Sequence, residues 1–292
     1  DYVPKSVIVL GGGVIGCEFA SVWKSFGSDV TIIEGLPHLI ALEDESSSKL
    51  LERAFRKRGI KFELGVRFKS HKVNGDSVTV TLEDGREFTA DVLLVSVGRG
   101  PVTDGIGYQE LGITMDRGYI TVDDHCRTNI PGVWAVGDII PTLQLAHVGF
   151  QEGILVAETI AGLNPRPINY DGVPRVTYSE PEVASVGLST KVAKERGYDV
   201  VELDYNLAGN GKAQILKTAG SIKLIAEKNG PVLGIHMVGA RVGELLAEAQ
   251  LIYNWEATAD DVAPLIHAHP TMSEAMGEAH MALAGKPLHA HG

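Results

Sequence analysis

The stretch Ser6-Val7-Ile8-Val9-Leu10-Gly11-Gly12-Gly13-Val14-Ile15-Gly16 decides the fold. A β-branched run ends in glycines spaced G-x-G-x-x-G, at Gly11, Gly13 and Gly16. It leads into apolar residues at helical intervals, Ile15, Phe19, Val22 and Phe26, closed by Gly27. Strand, tight glycine turn and helix, in that order, are the context that a dinucleotide fingerprint requires. The first glycine allows the turn, the second lets backbone approach a pyrophosphate, and the third lets helix pack on strand. Phosphates then sit on the free N–H groups and positive dipole of the helix N-terminus. A second strand over 29–34 ends in Glu34, near the spacing expected of the acid that takes ribose hydroxyls. A carboxylate there repels a 2′-phosphate, so the pattern points to NAD rather than NADP. The bland alternative is a glycine-rich turn in a βαβ unit without ligand. Agreement of spacing, helix and acid favours the nucleotide.

Outward from this unit, a helix is expected over 46–58, stopped by Gly59, then a strand over 60–63. A hairpin turns at Asp84-Gly85 between residues 78–82 and 87–89. The continuous apolar run 92–97 reads as a strand buried on both faces, ending at Gly98-Arg99-Gly100-Pro101. A short buried strand over 133–136 ends in Gly137-Asp138. An acid there suits a ligand hydroxyl, though a turn or cap aspartate is the plainer reading. A helix follows over 147–161. From residue 173 the pattern changes to alternating strands, with a hairpin of 220–227 and 231–238 across Asn229-Gly230 and two closing helices. The last helix is expected to begin at Pro270. The expected architecture is thus an α/β Rossmann-like domain followed by an α+β unit.

Near the end, His267-Ala268-His269-Pro270-Thr271-Met272-Ser273-Glu274 is the other informative stretch. His269 closes a loop and Glu274 lies in the first turns of a helix on a nearby face. A carboxylate beside an imidazole fixes its tautomer and raises its basicity, the arrangement of acid–base catalysis. His267 and His269 also raise the question of metal. Only Glu274 is a further close ligand, against the four of a structural zinc site, so no metal is expected.

The chain has 292 residues, with 26 lysines and arginines against 37 acids, a net charge of −11. That argues against nucleic acid or an anionic membrane surface as partner. No apolar run approaches a membrane span and no signal peptide is visible, so the expected location is cytoplasmic. Cys17 and Cys126, far apart and in no C-x-x-C pair, read as free thiols.

Together these motifs resemble the C-terminal two-thirds of the flavin-dependent pyridine nucleotide–disulfide oxidoreductases. Within that family they most resemble the dihydrolipoamide dehydrogenases, the E3 components of 2-oxoacid dehydrogenase complexes. The resemblance rests on Gly11 to Glu18 with Glu34, on Val97-Gly98-Arg99, on Thr128 to Asp138, on Leu145-Ala146-His147, and on His267 to Thr271 with Glu274. It implies an NAD-binding domain over 1–125, the remaining part of an FAD domain over 126–172, and a dimerisation domain over 173–292. It implies NAD on Gly11, Gly12, Gly13, Val14, Ile15, Gly16 and Glu34, with Glu18 by the nicotinamide and Gly98 at its ribose or ring. FAD would be held by Asp138 at the ribityl chain and by backbone of Leu145, Ala146 and His147 at the flavin ring. His269, oriented by Glu274, would deprotonate a dihydrolipoyl thiol in the active site of the other subunit, which implies a homodimer. The partner would be the lipoyl domain of a 2-oxoacid dehydrogenase complex. Family members also carry an N-terminal FAD half with a C-x-x-x-x-C redox pair. Neither is found in these 292 residues, so the resemblance implies a fragment with an incomplete FAD site, inactive alone. The alternatives are another disulfide reductase of the same fold, of the mercuric or glutathione type, and a non-catalytic NAD-binding and dimerisation module.

Overall fold

The computed structural model describes residues 2–289. They form two compact units, one of residues 2–97 with 174–289, the other of Gly98–Val173. In the first unit, β1 (Ser6–Leu10), α1 (Val14–Ser25), β2 (Asp29–Ile33), α2 (Glu45–Arg58) and β3 (Lys61–Glu63) follow one another, and β4 (Phe68–Asn74), β5 (Ser77–Leu82) and β6 (Glu87–Ala90) precede β7 (Val92–Val95). The parallel sheet runs in the order β3-β2-β1-β7, and β4-β5-β6 is a separate antiparallel sheet. This is the expected Rossmann-like arrangement, built from crossover helices on a parallel sheet. Asp44 caps α2, its carboxylate accepting the Ser46 N–H, and Gly59 closes the helix in the left-handed conformation that a residue without Cβ adopts at low cost.

Two local expectations fail for identifiable reasons. The face of α1 turned to the sheet is Gly16, Cys17, Ala20 and Ser21, while Phe19, Val22 and Phe26 are exposed. An added Cβ on Gly16 would lie 1.9 Å from the Gly11 carbonyl oxygen. Helix and strand therefore meet so closely that only small residues fit, and the large apolar stripe turns outward. Strand β7 is partly exposed rather than buried on both faces, because it is an edge of the four-stranded sheet.

The second unit holds β8 (Met115–Asp116) paired with β9 (Tyr119–Ile120), a 3-10 turn at Gly137–Ile139, α3 (Ala146–Ile160) and a 3-10 turn at Tyr170–Gly172. Its core gathers Ile113, Ile120, Cys126, Ala135, Ile140 and Leu155. The expected strand over 133–136 is reduced to a single bridge between Arg127 and Trp134.

From residue 174 the first unit continues with β10 (Arg175–Thr177), β11 (Glu182–Gly187), α4 (Thr190–Glu195), β12 (Val200–Asn206), α5 (Gly211–Leu216), β13 (Ser221–Glu227) and β14 (Val232–Gly239). Helices α6 (Leu246–Asn254), α7 (Ala259–Val262) and α8 (Glu274–Leu283) close it. The antiparallel sheet has the order β10-β11-β14-β13-β12. Helices α6 and α8 pack on it, burying Leu246, Ala249, Ile252, Ala275, Met276 and Ala279 against Leu224, Ile235 and Met237. Helix α8 begins at Glu274 rather than Pro270, because the residues between are held as a loop: the Thr271 carbonyl accepts from Asn210 and the Thr271 N–H donates to the Glu274 carboxylate.

Candidate functional site

The glycine turn is open where a ligand would need it. Gly11 has φ +109°, and an added Cβ would meet the Ser96 carbonyl oxygen at 2.3 Å, so this glycine is needed for the turn itself. Gly13 caps α1 without any side-chain hydrogen bond, and an added Cβ there would meet nothing within 4 Å. The first amides of α1, at Val14 and Ile15, thus carry the helix dipole with no acid in the first turn to answer it. This is the cradle that a pyrophosphate would fill. At the end of β2, the Glu34 carboxylate accepts the Gly12 N–H through Oε2 and the Leu36 N–H through Oε1. Two backbone donors fix its orientation beside the turn. Glu18, one helical turn further along α1, accepts the Tyr178 N–H at 2.8 Å. Its carboxylate therefore ties α1 to the segment after β10.

The second unit assembles a different cluster. Arg99 Nη1 lies 3.5 Å from Asp138 Oδ2, and its Nη2 donates to the Gln144 carbonyl at 2.8 Å. Asp138 lies in the turn Gly137–Ile139, and Leu145 is the extended cap of α3 with no side-chain cap bond. So Arg99, next to Gly98, links Asp138 to the residue preceding Leu145-Ala146-His147. The organiser is Glu152, an acid on the inner face of α3 that is fully buried. It accepts the Gly137 N–H at 2.6 Å, the Thr142 hydroxyl at 2.8 Å and the Tyr170 hydroxyl at 3.0 Å. Burial first, then the bond to Glu152, pushes the Tyr170 phenol well above its usual range. Burial and the Glu152 charge push the Cys126 thiol up to about 11. Glu152 escaped the sequence reading. The available signal was a carboxylate placed between the core residues Val148 and Leu155 of an apolar helix.

In the C-terminal part of the first unit, His269 Nδ1 lies 2.8 Å from Glu274 Oε1, and the Thr271 N–H donates to Glu274 Oε2 at 2.7 Å. The loop over 270–273 and the start of α8 at Glu274 bring the two side chains together across four intervening residues. Burial acts to raise the Glu274 carboxyl, but the Thr271 amide and His269 outweigh it and hold it below the usual carboxylate range. An anionic carboxylate therefore accepts Nδ1–H and leaves Nε2 as the basic nitrogen. The imidazole itself is exposed. Asn210, also missed in the sequence, donates to the Thr271 carbonyl at 3.1 Å and steadies the loop. His267 turns to another acid, Glu248, at 2.8 Å. Beside the pair is a cavity of about 270 Å³ lined by Tyr205, Asn210, His267, His269, Glu274 and Met281 among others.

Residues 1–153 match the family model described as pyridine nucleotide-disulphide oxidoreductase, and residues 173–280 match the dimerisation domain of that family. The chain is 41% identical to a dihydrolipoyl dehydrogenase from Cupriavidus necator over 98% of its own length and 62% of the relative's. It is 42% identical to a mitochondrial dihydrolipoyl dehydrogenase from Schizosaccharomyces pombe, covering 98% of the chain and 58% of the relative. It superposes on the crystal structure of LpdA from Mycobacterium tuberculosis with a TM-score of 0.90 at 29% identity, over 97% of this chain and 62% of that one. The chain thus spans about 60% of the length of the curated relatives it matches.

Proposed function

The chain belongs to the pyridine nucleotide-disulphide oxidoreductase family, and from that membership we propose that it serves an NAD-dependent flavoprotein that oxidises protein-bound dihydrolipoamide to lipoamide. The observation that carries the substrate class is the His269–Glu274 pair, with both carboxylate oxygens engaged and Nε2 left basic. A dithiol reacts through its thiolate, and an ordinary thiol is mostly protonated at neutral pH. A positioned imidazole is suited to take that proton, and the adjacent carboxylate stabilises the imidazolium that results.

In this reading the open turn Gly11 to Gly16 and Glu34 hold NAD, with Glu18 toward the nicotinamide. Asp138 and the backbone of Leu145, Ala146 and His147 contribute to an FAD site. FAD and NAD, when bound, would carry the dithiol's electrons onward. The uncapped α1 terminus and the exposed Gly13 support the first assignment; the Arg99–Asp138–Gln144 cluster supports the second. The redox disulfide that the reaction needs is not supplied by Cys17 and Cys126, both free and buried. A domain division at 125 and 172, a homodimer in which His269 serves the other subunit, and a lipoyl domain as partner belong to the same proposal, with the match to a dimerisation domain in support of the homodimer.

The test is His269→Gln in a protein that carries this chain together with flavin and redox disulfide. The dihydrolipoamide half-reaction is expected to slow by roughly 10²–10⁴. NADH oxidation by an artificial acceptor, which needs no thiol base, is expected to remain largely intact. Equal losses in both assays would remove His269 from the thiol step.

A further inference from the structure

The loop between Glu34 and α2 carries two consecutive acids, Asp44, which is buried, and Glu43, which is partly buried, with side chains 3% and 9% exposed. Buried carboxylates persist only where opposing charge and hydrogen bonds answer them. Here the answer comes from the antiparallel sheet, some 130 to 180 residues later in the chain. Arg175 Nε of β10 lies 3.3 Å from Glu43 Oε1, and the Ser185 hydroxyl of β11 donates to Glu43 Oε2. Lys223 Nζ of β13 lies 3.0 Å from Asp44 Oδ1 and 2.8 Å from Glu202 Oε2 of β12. The Thr190 N–H donates to Asp44 Oδ2 at 3.0 Å.

The other end of the same loop rests on the glycine turn. The Glu43 N–H donates to the Ile40 carbonyl, and the Ile40 N–H donates to the Gly12 carbonyl at 2.8 Å. Leu39 is fully buried over Gly12, where an added Cβ would meet Leu39 Cδ2 at 2.7 Å. A continuous line of contacts therefore runs from the sheet, through two clamped carboxylates, to the turn that opens the α1 terminus.

We propose that Lys223 and Arg175 are positioning residues of the nucleotide site: by holding Asp44 and Glu43 they fix Leu39 and Ile40, and through them the Gly12 turn. The proposal rests on reading that turn as the nucleotide site. It assigns to the C-terminal sheet a part in dinucleotide binding that neither the fingerprint nor the acid after β2 contains.

The experiment compares the wild-type chain with Lys223→Met and with Asp44→Asn/Lys223→Met, by thermal unfolding, by hydrogen exchange at the Ile40 amide, and by calorimetric titration with NAD⁺. Lys223→Met leaves the Asp44 charge buried without its cation, so its melting temperature falls. In the double variant Asp44 no longer carries an orphan charge, Glu202 keeps Lys194 and the Thr190 hydroxyl, and asparagine caps α2 as well as aspartate does, so most of the lost melting temperature recovers. The Lys223–Asp44 half of the clamp is still missing. The Ile40 amide is expected to exchange about 10- to 100-fold faster than in the wild type, and the Kd for NAD⁺ to stay roughly tenfold weaker. If exchange and affinity return to wild-type values along with the melting temperature, the pair is merely structural and the proposal falls. Should Lys223→Met fail to fold, the double variant against wild type decides alone. Folded wild-type chain with no NAD⁺ affinity would overturn the nucleotide reading instead. Ile40 exchange would then still separate a real clamp from none, unchanged rates in the double variant refuting it.

Discussion

Replacing Gly13 and Gly16 one at a time separates the fold from the function of the glycine turn. At Gly16 an added Cβ would lie 1.9 Å from the Gly11 carbonyl oxygen and 2.9 Å from Ser96 Oγ. The nearer obstacle is backbone, so the turn itself must shift, and Gly16→Ala is expected to cost on the order of 3 kcal/mol. At Gly13 the backbone is extended, with φ −71° and ψ −173°, and the Cβ would meet nothing within 4 Å. The only structural cost of Gly13→Ala is a poorer helix cap, about 1 kcal/mol or less. Yet its methyl would stand on the open terminus of α1, where the pyrophosphate has to approach backbone. Its expected loss of NAD⁺ affinity is at least about tenfold, or roughly 1.4 kcal/mol. Thermal melts give the first quantity and calorimetry the second. Gly13→Ala that melts near wild type and binds NAD⁺ with wild-type affinity would refute the placement of phosphate on this terminus.

Glu152→Ala removes the acceptor of three donors at once. The two hydroxyls can turn to other partners but the Gly137 N–H cannot, so a local loss of about 1–3 kcal/mol is expected, read as faster exchange of that amide in a hydrogen-exchange experiment. Glu152→Gln, which keeps one carbonyl oxygen, is expected to lose less. Stability is also expected to fall with pH in two steps, measured by urea unfolding between pH 8 and 2. Burial holds the imidazoles of His236 and His280 below their ordinary range, so the unfolded chain binds protons there that the folded chain does not. Their contribution is complete above about pH 6.5 and declines below it, by up to about 1.4 kcal/mol per pH unit for each. Glu202 is held down to about 2, burial opposing but bonds from Lys223, Lys194 and Thr190 prevailing, and Asp44 is lowered in the same way by Ser46 and Thr190. Their contribution is present above about pH 4 and is lost as pH falls toward those lower values. A flat profile from pH 7.5 to 5 would contradict the buried neutral histidines.

The strand–turn–helix at Gly11 to Gly16 and the hairpins were legible because their signals are local: glycine spacing, β-branched runs, Asp84-Gly85 and Asn229-Gly230. The closeness of His269 to Glu274 was legible for the same reason, since only four residues separate them. What stayed hidden depends on partners distant in sequence. The outward turn of Phe19, Val22 and Phe26 follows from the close approach of α1 to β1, which periodicity does not report. The roles of Glu152, Asn210, Asp44 and Lys223 arise from hydrogen bonds to residues that no spacing rule connects. The start of α8 is hidden in the same way: proline suits a first helical turn, but the bonds of Thr271 to Asn210 and Glu274 keep 270–273 outside the helix.

The proposed NAD site is built on Gly11 to Gly16 and Glu34. Its most direct test is calorimetric titration of the chain with NAD⁺ and NADP⁺ side by side. The Glu34 carboxylate is fixed by the Gly12 and Leu36 amides, and in the proposed site it would accept ribose hydroxyls and repel a 2′-phosphate. Saturable binding of NAD⁺ with NADP⁺ weaker by about tenfold or more is the predicted result. Folded chain that binds neither, or that prefers NADP⁺, would contradict it.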